Sequence, residues 1–256
     1  MPKIQNRFEV VANRKLCPRF YCLSLRAPSI RAKVLPGQFV HIRVTEGLEP
    51  FFRRPFSVYR AKSTVDVFYE PIGPGTRLLS QKRPGDELDV LGPLGNSFNP
   101  PPKGTKQVVM IAGGIGIAPF LILSDRLKNK GCEMILLYGG RTKAHVYPMK
   151  EFKQNGVKAF VSTDDGSVGV KGRVSELFKK ISLDPKTTML YTCGPHAMMH
   201  AVQRFAREKG LRCEASCEEV MACALGACLG CSIRTTKGFK TVCYDGPVFD
   251  IQEVIF

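Results

Sequence analysis

The chain has 256 residues and a mass of 28.4 kDa, 44% of them apolar and 23% charged, which is the balance of a folded globular protein and excludes a disordered or fibrous chain. The net charge is +16 (38 basic minus 22 acidic residues), but the cations are scattered from Lys3 to Lys240, there is no Trp, and aromatic residues do not interleave with basic ones, so the pattern predicts no nucleic-acid binding. The longest uncharged apolar run, Val108 to Leu123, covers 16 residues and is broken by Gly113, Gly114, Gly116 and Pro119, which predicts no membrane span; the start, Met1 to Arg7, has no apolar leader. Together these features predict a cytoplasmic protein in which ten cysteines serve some purpose other than disulfide bonding.

In chain order, residues 1–100 read as short antiparallel strands with a period of two, such as Val40, Ile42 and Val44, then Val65, Val67 and Tyr69, bounded by Gly and Pro. This pattern predicts a small β-barrel. The tract Asn99-Pro100-Pro101-Pro102-Lys103-Gly104 cannot donate to a sheet at its prolines and predicts a linker. Residues 101–210 then alternate apolar runs with helical periods: Val108 to Ala112, a helix from Ile117 to Lys130, Met134 to Tyr138, Val157 to Thr163, a helix near Val174 to Ile181, Met189 to Thr192, and a last helix from Pro195 to Gly210 with Met198, Val202, Phe205 and Ala206 on one face. That alternation predicts an α/β domain with a parallel sheet, so the fold class is α+β multidomain, with residues 211–256 as a third, small domain.

Six cysteines fall in the 31 residues from 213 to 243, where little apolar material is left for a separate core. Cys223, Cys228 and Cys231 have the spacing C-x4-C-x2-C with a distant fourth, Cys243, which is the plant-type two-iron, two-sulfide (2Fe-2S) pattern. Small residues between them, Gly226 and Gly230 with Ala222, Ala224 and Ala227, let backbone N–H groups approach inorganic sulfide. Structural zinc prefers paired C-x2-4-C elements, and only Cys228 and Cys231 form such a pair. Cys213 and Cys217 read as buried thiols, and Cys17, Cys22 and Cys132 as core residues; His41, His145, His196 and His200 form no metal-spaced set.

Two further motifs point to phosphate-bearing cofactors. Arg54 and Ser57 flank Pro55 and Phe56 in an extended segment, where an arginine forks onto phosphate while the backbone edges along a flat ring. Phe68, Tyr69 and Glu70, then Gly75 and Thr76 at the start of a helix over Thr76 to Ser80, supply more of such a site. Further on, Gly113, Gly114 and Gly116 follow a buried strand and open a helix, the context of a dinucleotide loop, although Pro119 replaces its third glycine and no acidic residue ends the next strand. Cys193, Gly194 and Pro195 close the last strand at the carboxyl edge, where ligands of open α/β sheets bind. The Cys193 thiol there either touches a reacting nicotinamide or is a buried structural thiol.

Taken in order, Arg54-x-x-Ser57, Gly-Gly-x-Gly-x-x-Pro, Cys-Gly-Pro and the cysteine cluster resemble the ferredoxin-reductase superfamily over essentially the whole chain. The stretch from Cys217 to Cys231, with Cys243-Tyr-Asp-Gly-Pro-Val-Phe249 and Gly75-Thr-Arg-Leu-Leu79, resembles more closely the family of electron-transfer subunits of class B dihydroorotate dehydrogenase. The resemblance implies FAD held by Arg54, Pro55, Phe56, Ser57, Phe68, Tyr69, Glu70, Gly75 and Thr76, and a 2Fe-2S cluster on Cys223, Cys228, Cys231 and Cys243. It also implies NAD(H) on the second domain and an FMN-containing catalytic partner, two of each chain, in pyrimidine biosynthesis. Phe56 stands where that family often has an aliphatic residue, and Glu70 where it often has a basic one. Two other readings stay open: the small subunit of a ferredoxin:NADP oxidoreductase or sulfhydrogenase-type complex, and a non-catalytic metal-stabilised binding protein. Four cysteines, where the bifurcating small subunits have a carboxylate among the ligands, favour the dehydrogenase family. The Gly140-Arg141 pair offers a seat for a 2′-phosphate, but Asp164 and Asp165 beyond the neighbouring strand oppose one and favour NAD(H) over NADP(H).

Overall fold

The computed structural model describes residues 3–256. The first half closes into a six-stranded antiparallel barrel: β1 (Ile4–Lys15), β2 (Tyr21–Leu25), β3 (Phe39–Ile42), β4 (Arg54–Ala61), β5 (Val65–Tyr69) and β6 (Glu87–Leu94) in the order β1-β2-β5-β4-β3-β6. Helix α1 (Pro28–Arg31) and helix α2 (Pro74–Ser80) lie in the connections. Val40, Ile42 and Val44 point into the barrel with Val58, Val65, Val67 and Tyr69. The outer face of β5 is not solvated, however, and all five of its residues are buried. Phe68 packs outward against Phe20, Tyr59 and Tyr147, so the alternation of one wet and one dry face is lost where the second domain covers the barrel.

That second domain is a seven-stranded sheet. It contains β7 (Gln107–Gly113), β8 (Glu133–Gly140), β9 (Val157–Thr163), β10 (Val170–Lys171), β11 (Thr188–Cys193), β12 (Arg212–Ser216) and, beyond a hairpin of β13 (Ser232–Thr235) and β14 (Gly238–Thr241), β15 (Val248–Asp250). The order is β10-β9-β8-β7-β11-β12-β15, with every pairing parallel except β12 with β15. Helix α3 (Ala118–Leu127), the short α4 (Lys150–Gln154) and α5 (His196–Glu208) cover it. Three expected boundaries move. Helix α3 stops at Leu127 because Lys128 turns extended and Asn129 and Gly131 take positive φ. The segment Val174–Lys180 is a 3₁₀ turn that buries Val174 and Leu177, three residues apart as that winding requires. Pro195 precedes α5 as its cap residue, and the buried face of the helix is Met199, Val202, Gln203 and Ala206, with Met198 and Phe205 only partly covered.

The segment beyond Gly210 is not short of a core. Its strands β12 and β15 extend the parallel sheet, and Met221, Ile233, Val242, Ile251 and Val254 share one apolar cluster with Val109, Ile111 and Leu190 of the sheet and with Phe39, Leu91 and Leu94 of the barrel. The proline tract is likewise anchored. The Asn99 N–H donates to Glu214 at 2.9 Å and the Tyr191 hydroxyl donates to the Asn99 carbonyl at 2.7 Å.

A carboxylate joins barrel to sheet. Glu151 of α4 accepts from the hydroxyls of Tyr59 (2.6 Å) and Tyr147 (2.5 Å) and pairs with Arg60. Burial pushes this carboxyl up, but the hydrogen bonds from Tyr147, Tyr59 and Arg60 outweigh it and hold the group below the usual carboxylate range. A depressed folded value means that its stabilisation is present above the ordinary carboxylate pKa and is lost as the pH falls through the folded one. Glu151→Gln is therefore expected to cost about 2–3 kcal/mol at neutral pH. Thermal melts of variant and wild type should converge as the pH is lowered below about 4; a gap that stays constant would contradict this account.

Candidate flavin, nicotinamide and iron–sulfur sites

Between barrel, sheet and C-terminal segment lies a cavity of about 680 Å³, within the range of small-molecule and cofactor pockets. Its barrel wall includes Arg54, Pro55, Phe56 and Ser57 at the start of β4, Phe68, Tyr69 and Glu70 at the end of β5, and Gly75 and Thr76 in α2. Strand pairing explains part of this convergence: β4 lies beside β5, and the β5–α2 connection brings the Gly-rich turn back across Arg54. A Cβ on Gly75 would stand 3.1 Å from Arg54 Nε, so the missing side chain makes room for the guanidinium. Arg54 donates to the carbonyls of Phe52 (2.6 Å) and Arg53 (3.2 Å), and among the described residues no carboxylate pairs with it. The cation is thus oriented and available to an anion. Thr76 exchanges hydrogen bonds with the backbone of Gly73, and the rings of Phe56 and Tyr69 meet edge-on at 5.8 Å. Glu70 is paired with Arg19.

From the other side, Gly116 and Cys193 reach the same cavity. The two are in direct contact: a Cβ on Gly116 would lie 2.2 Å from the Cys193 carbonyl oxygen. Gly113, Gly114, Gly194 and Pro195 stand next to the cavity rather than in its wall; a Cβ on Gly113 would meet Pro195 Cδ and Met198 Sδ at 2.8 Å. Burial pushes the Cys193 thiol far above its ordinary value, with Glu218 adding to the shift, so it is a neutral SH group and not a thiolate nucleophile. The cavity wall also contains residues that the motifs did not announce, among them Phe52, Ile72, His196, Glu218, Glu219 and Val220. Burial and the neighbouring Glu219 raise the Glu218 carboxyl. The only sequence signal for these residues is adjacency to a motif, because they belong to loops whose direction the tertiary fold sets.

Of the four cysteines expected to hold the cluster, Cys223, Cys228 and Cys231 sit in the loop before the β13–β14 hairpin and Cys243 just after it, followed by Tyr244 packed over Gly226. Ala224 (φ 56°), Gly226 (φ 83°) and Leu229 (φ 59°) take left-handed conformations, which turn successive N–H groups toward one side. Accordingly, Cys223 Sγ accepts from the N–H of Leu225 (3.3 Å) and Cys228 (3.5 Å), and Cys231 Sγ from that of Cys243 (3.4 Å). Burial would raise the Cys223 thiol, but these N–H donors bring it down to about 6, whereas burial and the Cys231 neighbour push Cys243 up to about 12. Among the described residues no group of three or more His, Cys, Asp or Glu side chains is gathered closely enough to hold a metal ion. The donor set suits two irons with two thiolates each. Cys213 and Cys217 are buried with raised thiols, and all ten cysteines are unpaired.

A closed barrel followed by a parallel-sheet domain, with the two meeting at one cleft, defines the ferredoxin-reductase class of fold, here extended by a thiolate-rich loop. Comparisons with known proteins place the chain more closely. Residues 218–255 match the iron–sulfur cluster binding domain of dihydroorotate dehydrogenase B and residues 110–204 the oxidoreductase NAD-binding domain. The chain is 38% identical to the dihydroorotate dehydrogenase B (NAD(+)) electron transfer subunit of Desulforamulus reducens over 97% of each chain, and 38% identical to that of Geobacillus thermodenitrificans over 98% of each. Among solved structures it is similar to one from the NADH-dependent reduced ferredoxin-NADP oxidoreductase, with a TM-score of 0.84, 31% identity and coverage of 97% of this chain and 89% of that one. It also shares the fold of a ferredoxin NADP+ reductase from Neisseria gonorrhoeae, with a TM-score of 0.69, 20% identity and coverage of 80% of this chain and 92% of that one. The chain belongs to the family of electron transfer subunits of NAD-dependent dihydroorotate dehydrogenase B. Among the described residues no helix is long and apolar enough to cross a membrane.

Proposed function

We propose that this chain holds FAD in the 680 Å³ cavity, takes NAD(H) against the Gly116–Cys193 side of it, and holds a 2Fe-2S cluster on Cys223, Cys228, Cys231 and Cys243. Through these groups it passes electrons between NAD(H) and an FMN-containing chain that oxidises dihydroorotate. The observation that carries this reading is the single cavity in which a barrel wall with an unpaired arginine faces the glycine loop of the sheet, with the cluster segment forming the third wall. When bound, FAD supplies the conversion between the two-electron hydride and one-electron iron–sulfur traffic. The residues bind and orient. Arg54 holds phosphate, Phe56 and Tyr69 support the ring from the barrel side, and the lack of a side chain at Gly116 lets the glycine loop pack directly on the Cys193 backbone at the nicotinamide side. The loop N–H groups aimed at Cys223 and Cys231 stabilise thiolate charge.

Preference for NAD(H) is supported at the ends of β8 and β9, where Asp164 and Asp165 hydrogen-bond through their N–H groups to the carbonyls of Gly140 and Arg141. These backbone bonds put two acidic residues beside the Gly140-Arg141 turn, and their negative charge disfavours a 2′-phosphate there. Ten unpaired thiols support a reducing compartment, the cytoplasm, and resemblance supports an assembly of two of these chains with two catalytic chains.

The purified chain should be brown-yellow, with flavin and with iron equal to sulfide, and NADH should bleach the flavin far faster than NADPH. Arg54→Ala is expected to lower FAD affinity by one to two orders of magnitude, since an arginine–phosphate fork is lost, and equilibrium dialysis or flavin retention on gel filtration measures it. Full retention by the variant would remove Arg54 from the site. Co-purification with the native partner, followed by flavin analysis and the mass of the complex, tests the FMN assignment and the stoichiometry.

A further inference from the structure

The exposed edge of the cavity carries large apolar side chains. Phe52 and Ile72 line it while 52% and 69% exposed, and Phe51 meets Phe52 edge-on at 5.4 Å. Neither of the two lining residues is loosely presented. The Phe52 carbonyl accepts from Arg54 at 2.6 Å, and the Ile72 carbonyl accepts from Arg77 at 3.0 Å. Gly75 lies against both Arg54 and Pro50, which ties the segment before β4 to the turn before α2. The backbones are therefore held at the phosphate anchor while the two side chains remain uncovered, an arrangement that leaves an apolar slot beside a cation.

We infer that Phe52 and Ile72 clamp the adenine ring of FAD and thereby select FAD over FMN. This rests on the FAD reading of the cavity. A dinucleotide whose phosphates are held at Arg54 and whose flavin lies among the buried Phe56, Phe68 and Tyr69 has its adenosine directed to the exposed edge. An aromatic face and a flat aliphatic side chain suit a purine, which stacks through its π surface without needing specific hydrogen bonds. FMN ends at its phosphate and has nothing to place in the slot. Phe51 braces Phe52 from outside the cavity wall.

The test measures flavin release from the full-length holoprotein on dilution, by recovery of flavin fluorescence, with FAD and with FMN loaded separately. Phe52→Ala is expected to speed FAD release about tenfold or more, as the loss of a base stack predicts, and to leave FMN release unchanged. Phe52→Tyr should restore the wild-type FAD rate, and Leu48→Ser, in the same connection but outside the cavity wall, should behave as wild type. If Phe52→Ala fails to fold, Ile72→Ser reads the clamp from its other jaw with the same expected FAD-selective loss. Parallel acceleration of FAD and FMN, or FAD release unchanged in a folded variant, would overturn the inference. A wild-type chain that retains neither flavin would instead overturn the FAD reading beneath it.

Discussion

Replacing Cys228 by Ser is expected to abolish electron delivery beyond the flavin, by more than about 100-fold, while NADH still reduces bound FAD at close to the wild-type rate. A hydroxyl does not replace a thiolate ligand without cost to the cluster, and Cys228 is both a proposed ligand and a loop organiser, since its N–H donates to Cys223 Sγ at 3.5 Å. The nicotinamide side is built elsewhere, from β7, β11 and the turn between β7 and α3, and those elements belong to a sheet whose core does not include Cys228. Cys228 is exposed, so the substitution removes little packing. Electron paramagnetic resonance of the dithionite-reduced protein reads the cluster, and anaerobic stopped-flow bleaching reads the flavin. If flavin reduction by NADH disappeared together with the cluster signal, the separation of the two sites would be wrong.

The second large effect lies at Gly116. Alanine there would place a carbon 2.2 Å from the carbonyl oxygen of Cys193, 2.6 Å from its carbonyl carbon and 2.8 Å from the Gly194 nitrogen, all of them backbone atoms that cannot swing aside. The 3₁₀ turn Gly114–Ile117 must then lift from the end of β11, which opens the junction where glycine loop and Cys-Gly-Pro turn meet. We expect Gly116→Ala to reduce NADH-driven flavin bleaching by about 100-fold or more and to destabilise the fold by about 1–3 kcal/mol, with the cluster signal retained. Gly114→Ala is the informative contrast. Its Cβ would meet nothing within 4 Å, and only the positive φ of 53° opposes it, a cost of about 1–2 kcal/mol. Should the two variants behave alike, the contact between Gly116 and Cys193 would have no special importance.

Much of the architecture could be read from the chain because its signals are local. Period-two runs around Val40–Val44 and Val65–Tyr69, the proline tract and the alternating strands and helices from Val108 onward each report a short-range preference of backbone and side chain. The departures occur where distant segments meet. Phe68 is buried on the outside of the barrel because Tyr147 arrives from the other domain, and α5 turns Met199 inward and leaves Met198 at the flank because the sheet and the C-terminal segment meet it at an angle the helical period does not specify. Residues 211–256 read as a separate unit held by metal, yet β12 and β15 are strands of the nucleotide sheet and their apolar residues complete its core. Strand addition of this kind depends on an edge that the preceding 200 residues create.

The cofactor chemistry divides along the same line. Ligand identity and spacing at Cys223, Cys228, Cys231 and Cys243, the arginine before Pro55, and the glycines at 113, 114 and 116 are properties of the chain itself, because metal, phosphate and tight turns each demand particular residue types at short separations. The convergence of Arg54, Gly116, Cys193 and Glu218 on one cavity, the hydrogen bond that the Cys243 N–H donates to Cys231 Sγ 12 residues back, and the exposure of Phe52 and Ile72 beside the phosphate anchor arise only when barrel, sheet and C-terminal segment are packed together. Spacing along a chain determines which groups are available; distance in space, set by packing between elements far apart in sequence, determines which of them can act on one ligand.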